Sequence, residues 1–148
     1  MVRTLTKVQK ATEIKNVDDT IKRIRGAIKL VFRSLNTETA LQAKRLMFEV
    51  KDRAPVGDTG RLKEQVTFQK VFAPKNIIRY SVFVPDERKN PDSRGFVARF
   101  IELGTSKMDR MPFIRPAGDA LQDPILDELT QTLKETLKGR QELGRRRR

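Results

Sequence analysis

The chain has 148 residues, and its 32 lysines and arginines against 19 aspartates and glutamates give a formal charge of +13. This length predicts a single domain. The sequence contains no cysteine and no histidine, which excludes disulfides, thiolate zinc sites, cysteine nucleophiles and imidazole bases. A carboxylate metal site or a lysine or tyrosine base needs neither residue, but the 19 acidic residues are not clustered at a ligand spacing. We therefore expect no enzymatic activity, no metal and no cofactor.

The charge and the distribution of apolar residues constrain the partners and the location of the protein. A strongly basic chain is expected to bind something acidic, such as nucleic acid, an anionic membrane surface or an acidic protein face. No stretch approaches the roughly 20 apolar residues that cross a bilayer, and the first 15 residues do not resemble a signal peptide. The sequence therefore predicts a cytoplasmic protein.

The N-terminal third of the chain predicts one long helix. Residues 1–16 lack a continuous apolar face and are predicted to form an arm, with Asn16 as the N-cap of a helix over residues 17–53. We favour a single helix; the alternative is two helices that meet near residues 34–37, where Asn36 would cap the second. Apolar residues at spacings of three and four predict a core-facing stripe that consists of Ile21, Ile24, Ile28, Val31 and Leu35. The stripe continues more weakly through Thr39 and Ala43 and recovers at Leu46 and Val50.

The centre of the chain predicts a turn, a hairpin and a loop. Pro55 ends the helix, and the glycines that follow it predict a structured turn over residues 54–60. Two β-rich runs, residues 66–73 and 77–84, predict an antiparallel hairpin. Residues 85–95 are charged and have no aliphatic side chain, so we expect a loop that contacts a neighbouring subunit.

The next part of the chain predicts a final helix. Residues 96–103 are typical of a strand or a short helix, and residues 111–117 predict an extended segment stiffened by its prolines. Asp123 and Pro124 suit the N-cap and first position of a helix over residues 124–138, and Gly139 suits its C-terminal cap.

The last nine residues predict a flexible basic tail. They contain few apolar residues to pack into a core. Fixed positive charge on such a segment suits contact with DNA phosphates or with an acidic partner. The candidate contact residues are Arg140, Arg145, Arg146, Arg147 and Arg148.

Together these elements predict an α+β fold. It consists of a long N-terminal helix, a small and mostly antiparallel β-sheet, a C-terminal helix packed on the sheet, and the basic tail. We divide the chain into an arm (1–16), one domain (17–139) and the tail (140–148).

Three short segments occur in a characteristic order. They are Ala54-Pro55 followed by Thr59-Gly60-Arg61-Leu62, then Phe100-Ile101-Glu102-Leu103-Gly104-Thr105, then Met111-Pro112-Phe113-Ile114-Arg115-Pro116-Ala117. As an ordered set they resemble the tail-completion or neck proteins of long-tailed bacteriophages, and the resemblance covers about residues 20–138. The motif positions are Pro55, Thr59, Gly60, Leu62, Glu102, Gly104, Thr105, Pro112, Phe113, Arg115 and Pro116.

The resemblance implies a structural virion protein of the neck or tail region, assembled in the host cytoplasm. It implies a homo-oligomeric ring, expected to be a hexamer, that joins tail to capsid around the DNA channel. The implied partners are further copies of the chain, adjoining neck, head-closure, tail-terminator or tail-tube proteins, and genomic DNA, with no membrane.

The motif residues themselves predict scaffold roles. Gly60 and Gly104 suit backbone angles that other residues rarely adopt, and Glu102 and Arg115 are expected to form a buried or intersubunit ion pair. The alternative function, based on charge alone, is a free nucleic-acid-binding protein.

Overall fold

A computed structural model of the chain describes residues 7–57, 60–86 and 94–145, without the side chains of residues 7–16 and 140–145. The fold over these ranges is α+β, as the sequence predicts, with helices at both ends and a two-stranded antiparallel sheet between them. In chain order the elements are α1 (Lys7–Arg53), α2 (Arg61–Gln65), β1 (Thr67–Lys70), β2 (Tyr80–Phe83), α3 (Gly95–Leu103) and α4 (Ile114–Arg145).

The long N-terminal helix is confirmed and is longer than predicted. α1 is one unbroken helix of 47 residues, so the alternative of two helices is wrong. It begins at Lys7, which places Asn16 inside the helix instead of at its N-cap and makes residues 7–16 of the predicted arm helical. Lysine, alanine and glutamate in that segment favour helix without an apolar face. Residues 1–6 lie outside the described ranges.

Polar side chains near the suspected helix break form hydrogen bonds that do not cap a second helix. The Asn36 side chain caps no second helix, because its Oδ1 accepts a hydrogen bond from Lys70 Nζ at 2.7 Å. Thr39 Oγ1 donates to the Leu35 carbonyl oxygen at 2.6 Å, four residues earlier in the same helix. Threonine and asparagine in mid-helix are tolerated when their side chains find such partners.

The predicted hairpin is confirmed, with shorter strands. Thr67 lies opposite Phe83 and Lys70 lies opposite Tyr80. Beyond the strands, Val71 N–H still donates to the Arg79 carbonyl oxygen at 3.0 Å in the same register. Both strands pack on α1, so the small sheet depends on that helix for its support.

The hydrophobic core lies at the C-terminal end of α1. The most deeply buried large side chains are Val50, Val66 and Phe113, each 1% exposed. The predicted core stripe is confirmed at Ala43 and Val50, which are buried, and is wrong at Ile21, Ile24 and Ile28, which are exposed. Helical periodicity identifies an apolar face but not the element that covers it. The core cluster consists of Met47, Val50, Ala54, Leu62, Val66, Val84, Ala98, Phe113 and Ala117.

The C-terminal helix is also longer than predicted. α4 begins at Ile114 and continues to Arg145, so Pro124 and Gly139 lie inside it instead of at its ends. The helix runs antiparallel to α1, because Thr136 Oγ1 lies 3.0 Å from Ser34 Oγ while Ala117 joins the core beside Val50. Its main packing partner is α1, and its first turn is the part that lies near the sheet.

Two further predictions change at the ends of α4. The segment 111–117 is helical from Ile114 onward. Pro116 is at the third helical position, where an N–H would have no partner within the helix, so a proline there loses no hydrogen bond. The first part of the predicted flexible tail, residues 140–145, continues the helix. Arg146, Arg147 and Arg148 lie outside the described ranges.

The base of the 85–95 loop is closed by direct contacts. Gly95 N–H donates to the Pro85 carbonyl oxygen at 2.9 Å, and a Cβ on Gly95 would lie 2.5 Å from that oxygen. Arg94 N–H donates to Gln65 Oε1 at 2.7 Å. Residues 87–93, on which the predicted subunit contact mainly depends, lie outside the described ranges.

The turn between α1 and α2 depends on one glycine. Gly60 has a φ of 61°, and its carbonyl oxygen accepts the N–H groups of Lys63 and Glu64 at the start of α2. Apart from its neighbours in the chain, no described residue has an atom within 4 Å of the place where a Gly60 Cβ would stand. The backbone angle alone therefore sets the cost of a side chain there.

We expect Gly60→Val to lower the free energy of unfolding by about 1–3 kcal/mol, because a β-branched residue is strained at this φ. The matched control is Gly57→Val, since Gly57 is equally open and lacks a positive φ. Urea denaturation of both variants measures the difference. Equal midpoints for the two variants would contradict the proposed role of the turn.

Candidate functional site

The motif residue Glu102 binds the start of α4. Its Oε2 accepts the N–H groups of Phe113 at 2.8 Å and Ile114 at 3.0 Å, and its Oε1 accepts the N–H of Arg115 at 2.9 Å. Glu102 lies in the last turn of α3, eleven residues before Phe113 in the sequence. A side chain from one helix thus caps the N-terminus of another.

This cap accounts for every exposed donor at the helix end. The first N–H groups of a helix have no partner within the helix. Three of them bind Glu102, and the next residue, Pro116, has no N–H to satisfy. The negative charge also interacts favourably with the positive end of the α4 dipole. The Glu102 and Pro116 motif positions therefore act together.

The ionisation of Glu102 follows from these contacts. Partial burial raises the pKa of the carboxyl group, but the three backbone N–H donors, together with the charge of Arg115, lower it by more. The pKa of Glu102 therefore lies below its usual value. The expected ion pair takes a different form within the chain, because Glu102 binds the backbone N–H of Arg115 instead of its guanidinium.

A tight turn connects α3 to this cap. Gly104 has a φ of 77°, and its N–H donates to the Phe100 carbonyl oxygen at 2.7 Å. A Cβ at Gly104 would lie 3.0 Å from Arg110 N, so the returning chain passes close by. Thr105 Oγ1 accepts the N–H of Lys107 at 3.2 Å. This turn directs Phe113 into the core.

The remaining motif residues surround the same core. Leu62 of α2 is buried, Pro55 is half-buried directly after α1, and Pro112 is exposed just before Phe113. Thr59 lies outside the described ranges. The second and third motifs therefore meet at the Glu102 cap, and the first motif joins them through the core.

One face of α3 is apolar and exposed. Phe96, Phe100 and Leu103 follow one another at spacings of four and three on the helix, and Leu103 is 70% exposed. The Phe96 and Phe100 rings pack edge to face with their centroids 4.3 Å apart. We call these three residues the α3 ridge. The sequence did not predict the α3 ridge, because a short apolar segment does not show which side of the helix is buried.

A basic groove lies near the turn of the hairpin. It runs between α1 and the residues after β1, and Phe72 beside it is 95% exposed. Its charged lining residues are Arg33, Lys70 and Lys75, all cationic. The predicted contact residues Arg140 and Arg145 lie in the last turns of α4, far along the chain from this groove. Charge counting alone did not reveal the groove, because its residues are distant in sequence.

Comparison of the chain with family models, with curated proteins and with solved structures finds no match. None of the described helices has the length and apolar character needed to cross a membrane. Within the described ranges, no three acidic side chains come together as a metal-binding group.

We expect Glu102→Gln to lower the free energy of unfolding by about 1–2 kcal/mol at neutral pH, because the amide replaces one acceptor oxygen with a donor. A carboxyl group whose pKa falls on folding stabilises the protein above its unfolded pKa and loses this effect as the pH falls through its folded value. The stability gap between the parent and Glu102→Gln should therefore narrow below about pH 4.

The matched control is Glu128→Gln, which alters an exposed carboxylate on α4. The urea midpoints of the parent and of both variants are measured at several pH values from neutral to acidic. A gap between the parent and Glu102→Gln that stays constant over this range would contradict the charge-assisted cap.

Proposed function

We propose that this chain is a structural subunit of a homo-oligomeric ring at the head-tail junction of a long-tailed bacteriophage, where it joins tail to capsid around the DNA channel. The observation that carries the proposal is the exposed α3 ridge, which lies on the same helix as the motif residue Glu102. The motif residues hold α3 in place, and the α3 ridge provides the contact with the neighbouring copy.

The ridge has the character of a protein interface. Large contiguous apolar surfaces on soluble proteins mark sites of association, and aromatic residues are enriched at such sites. The ridge is also held in place, because the cap ties the last turn of α3 to α4. A rigid apolar surface loses little conformational entropy when a partner binds.

A ring requires each copy to bind the next through two unlike surfaces. In our proposal the α3 ridge meets a different face of the neighbouring copy, and repetition of this contact closes the ring. The hexamer implied by the motif set is the proposed closure. The ring stacks on adjoining neck, head-closure, tail-terminator or tail-tube proteins in the virion.

The charge of the chain suits a channel for DNA. A net charge of +13 on each copy places a high density of positive charge around the lumen. The groove cations Arg33, Lys70 and Lys75 and the C-terminal arginines are the proposed contacts with phosphate. The protein in this role catalyses no reaction and binds no cofactor.

The ridge variant Phe96→Ser/Leu103→Ser tests the proposal. Both side chains are more than half exposed, so we expect the fold to survive and the ring to dissociate into smaller species. Light scattering after gel filtration and electron microscopy of the purified chain measure this change. Leu126→Ser is the matched control, since Leu126 is a similarly exposed apolar residue on α4. A ring that persists in the ridge variant contradicts this role for the ridge.

A second function, a free nucleic-acid-binding protein, is favoured by the position of Phe72. This side chain is 95% exposed beside Lys70 and Lys75. An aromatic ring among cations is the arrangement on which bases of single-stranded nucleic acid stack. This function would need no ring, and it would operate in the isolated chain.

Two variants separate the functions. Lys70→Gln/Lys75→Gln should reduce the slope of log affinity against log salt for duplex DNA by about 2, and Lys134→Gln/Lys138→Gln on α4 is the control of equal charge. Phe72→Ala should leave duplex binding nearly unchanged if phosphate contact dominates. If Phe72→Ala instead weakens binding to single strands by tenfold or more, base stacking and the second function are supported.

A further inference from the structure

The N-terminal half of α1 carries an apolar stripe that no described residue covers. Val17, Ile21, Ile24 and Ile28 are exposed by 58%, 39%, 54% and 53%. Their spacings of four, three and four residues place them at alternating d and a positions of a heptad repeat. We call these four residues the α1 seam.

The seam lies on a different face of α1 from the side chain that contacts α4 near its C-terminus. Ser34 of α1 contacts Thr136 of α4. On a helix with 3.6 residues per turn, the seam residues lie about 80–140° around α1 from Ser34. α4 therefore occupies a neighbouring face of α1, and the seam is left open.

The open seam has the character of a helix-packing surface. Most helical stability in water comes from packing an amphipathic face, because propensity alone is too weak. Exposed β-branched residues also have lower helix propensity than alanine or leucine. Their presence on a continuous helix is explained if another helix covers them.

We propose that two copies of this chain pair through the α1 seam as a short antiparallel coiled coil. The twofold axis lies between Ile21 and Ile24. Ile21 then packs against Ile24 of the other copy, and Val17 packs against Ile28 of the other copy, which gives four apolar layers by symmetry. The same surface on both copies forms the contact, as a twofold interface requires.

The charges beside the seam select this orientation. Asp18 and Arg25 both occupy e positions, and both are exposed. In the antiparallel pair, e positions face e positions, so Asp18 of each copy lies beside Arg25 of the other. In a parallel pair, e positions face g positions, and Arg25 would meet the uncharged Thr20 instead. Only the antiparallel pair brings these opposite charges together.

This pairing goes beyond the proposed function and uses a different surface. The ring contact involves the α3 ridge, whereas the twofold contact involves α1. If both contacts exist, the seam joins two rings or forms a dimer in the free protein. The ridge variants test the ring, and the seam variants test the pair, so failure of one proposal is distinct from failure of the other.

The first test measures self-association of the full chain. In the Phe96→Ser/Leu103→Ser background, which removes the ring contact, analytical ultracentrifugation should show a monomer–dimer equilibrium. Ile24→Ser/Ile28→Ser should raise its dissociation constant by at least about tenfold. Leu30→Ser is the matched control, because Leu30 is exposed on α1 outside the seam. A monomer at all concentrations, or equal effects of both substitutions, overturns the proposal.

The second test exchanges the flanking charges. Asp18→Lys and Arg25→Glu should each weaken the dimer, because like charges then face each other. The double variant Asp18→Lys/Arg25→Glu should restore association. Restoration supports the antiparallel pair, whereas a double variant weaker than both single variants overturns it.

The third test fixes the orientation covalently. The chain has no cysteine, so single substitutions give unambiguous crosslinks. In the antiparallel pair, a mixture of Val17→Cys and Ile28→Cys chains should form the mixed disulfide under mild oxidation. Two Val17→Cys chains should not crosslink, because their α-carbons stand about 16 Å apart along the axis. Rapid crosslinking of Val17→Cys with itself indicates a parallel pair and overturns the proposal.

Discussion

The contact between Glu102 and the first turn of α4 is the constraint that joins the centre of the chain to its C-terminal helix. Its three hydrogen bonds cap α4 at the residue where that helix begins. Phe113 then enters the core, where it meets Val50 and Val66 from elements far away in the sequence. A two-stranded sheet cannot stand alone in water, so the hairpin depends on the helical framework that this contact organises.

Local chemistry predicted the elements that depend on short-range signals. Pro55 marked the end of α1, Gly60 and Gly104 adopt the positive φ angles expected of them, and the hairpin forms between the two β-rich runs. The importance of Glu102 was also predicted, although its partner was not. A carboxylate can bind a guanidinium or three backbone N–H groups, and the sequence does not distinguish them because the choice depends on how the chain returns.

Helix ends and the location of the core could not be predicted in the same way. Asn16 and the pair Asp123 and Pro124 have the chemistry of helix starts, yet tertiary packing and good helix formers carry α1 and α4 through them. Periodicity marked Ile24 and Ile28 as a packing face, but it does not show whether another element of the chain covers that face. The basic groove could not be predicted from the sequence, because folding brings Arg33 and Lys75 together from separate elements.

The closed base of the 85–95 loop has a practical consequence. The hydrogen bond between Gly95 N–H and the Pro85 carbonyl oxygen holds the two ends of the loop together. The positions of β2 and α3 on either side therefore do not depend on the length of the loop. The free-energy cost of closing a loop between two fixed ends rises only with the logarithm of the loop's length, by about 0.6 kcal/mol for each doubling. A change in the number of residues between these two ends is therefore expected to cost the rest of the protein little stability.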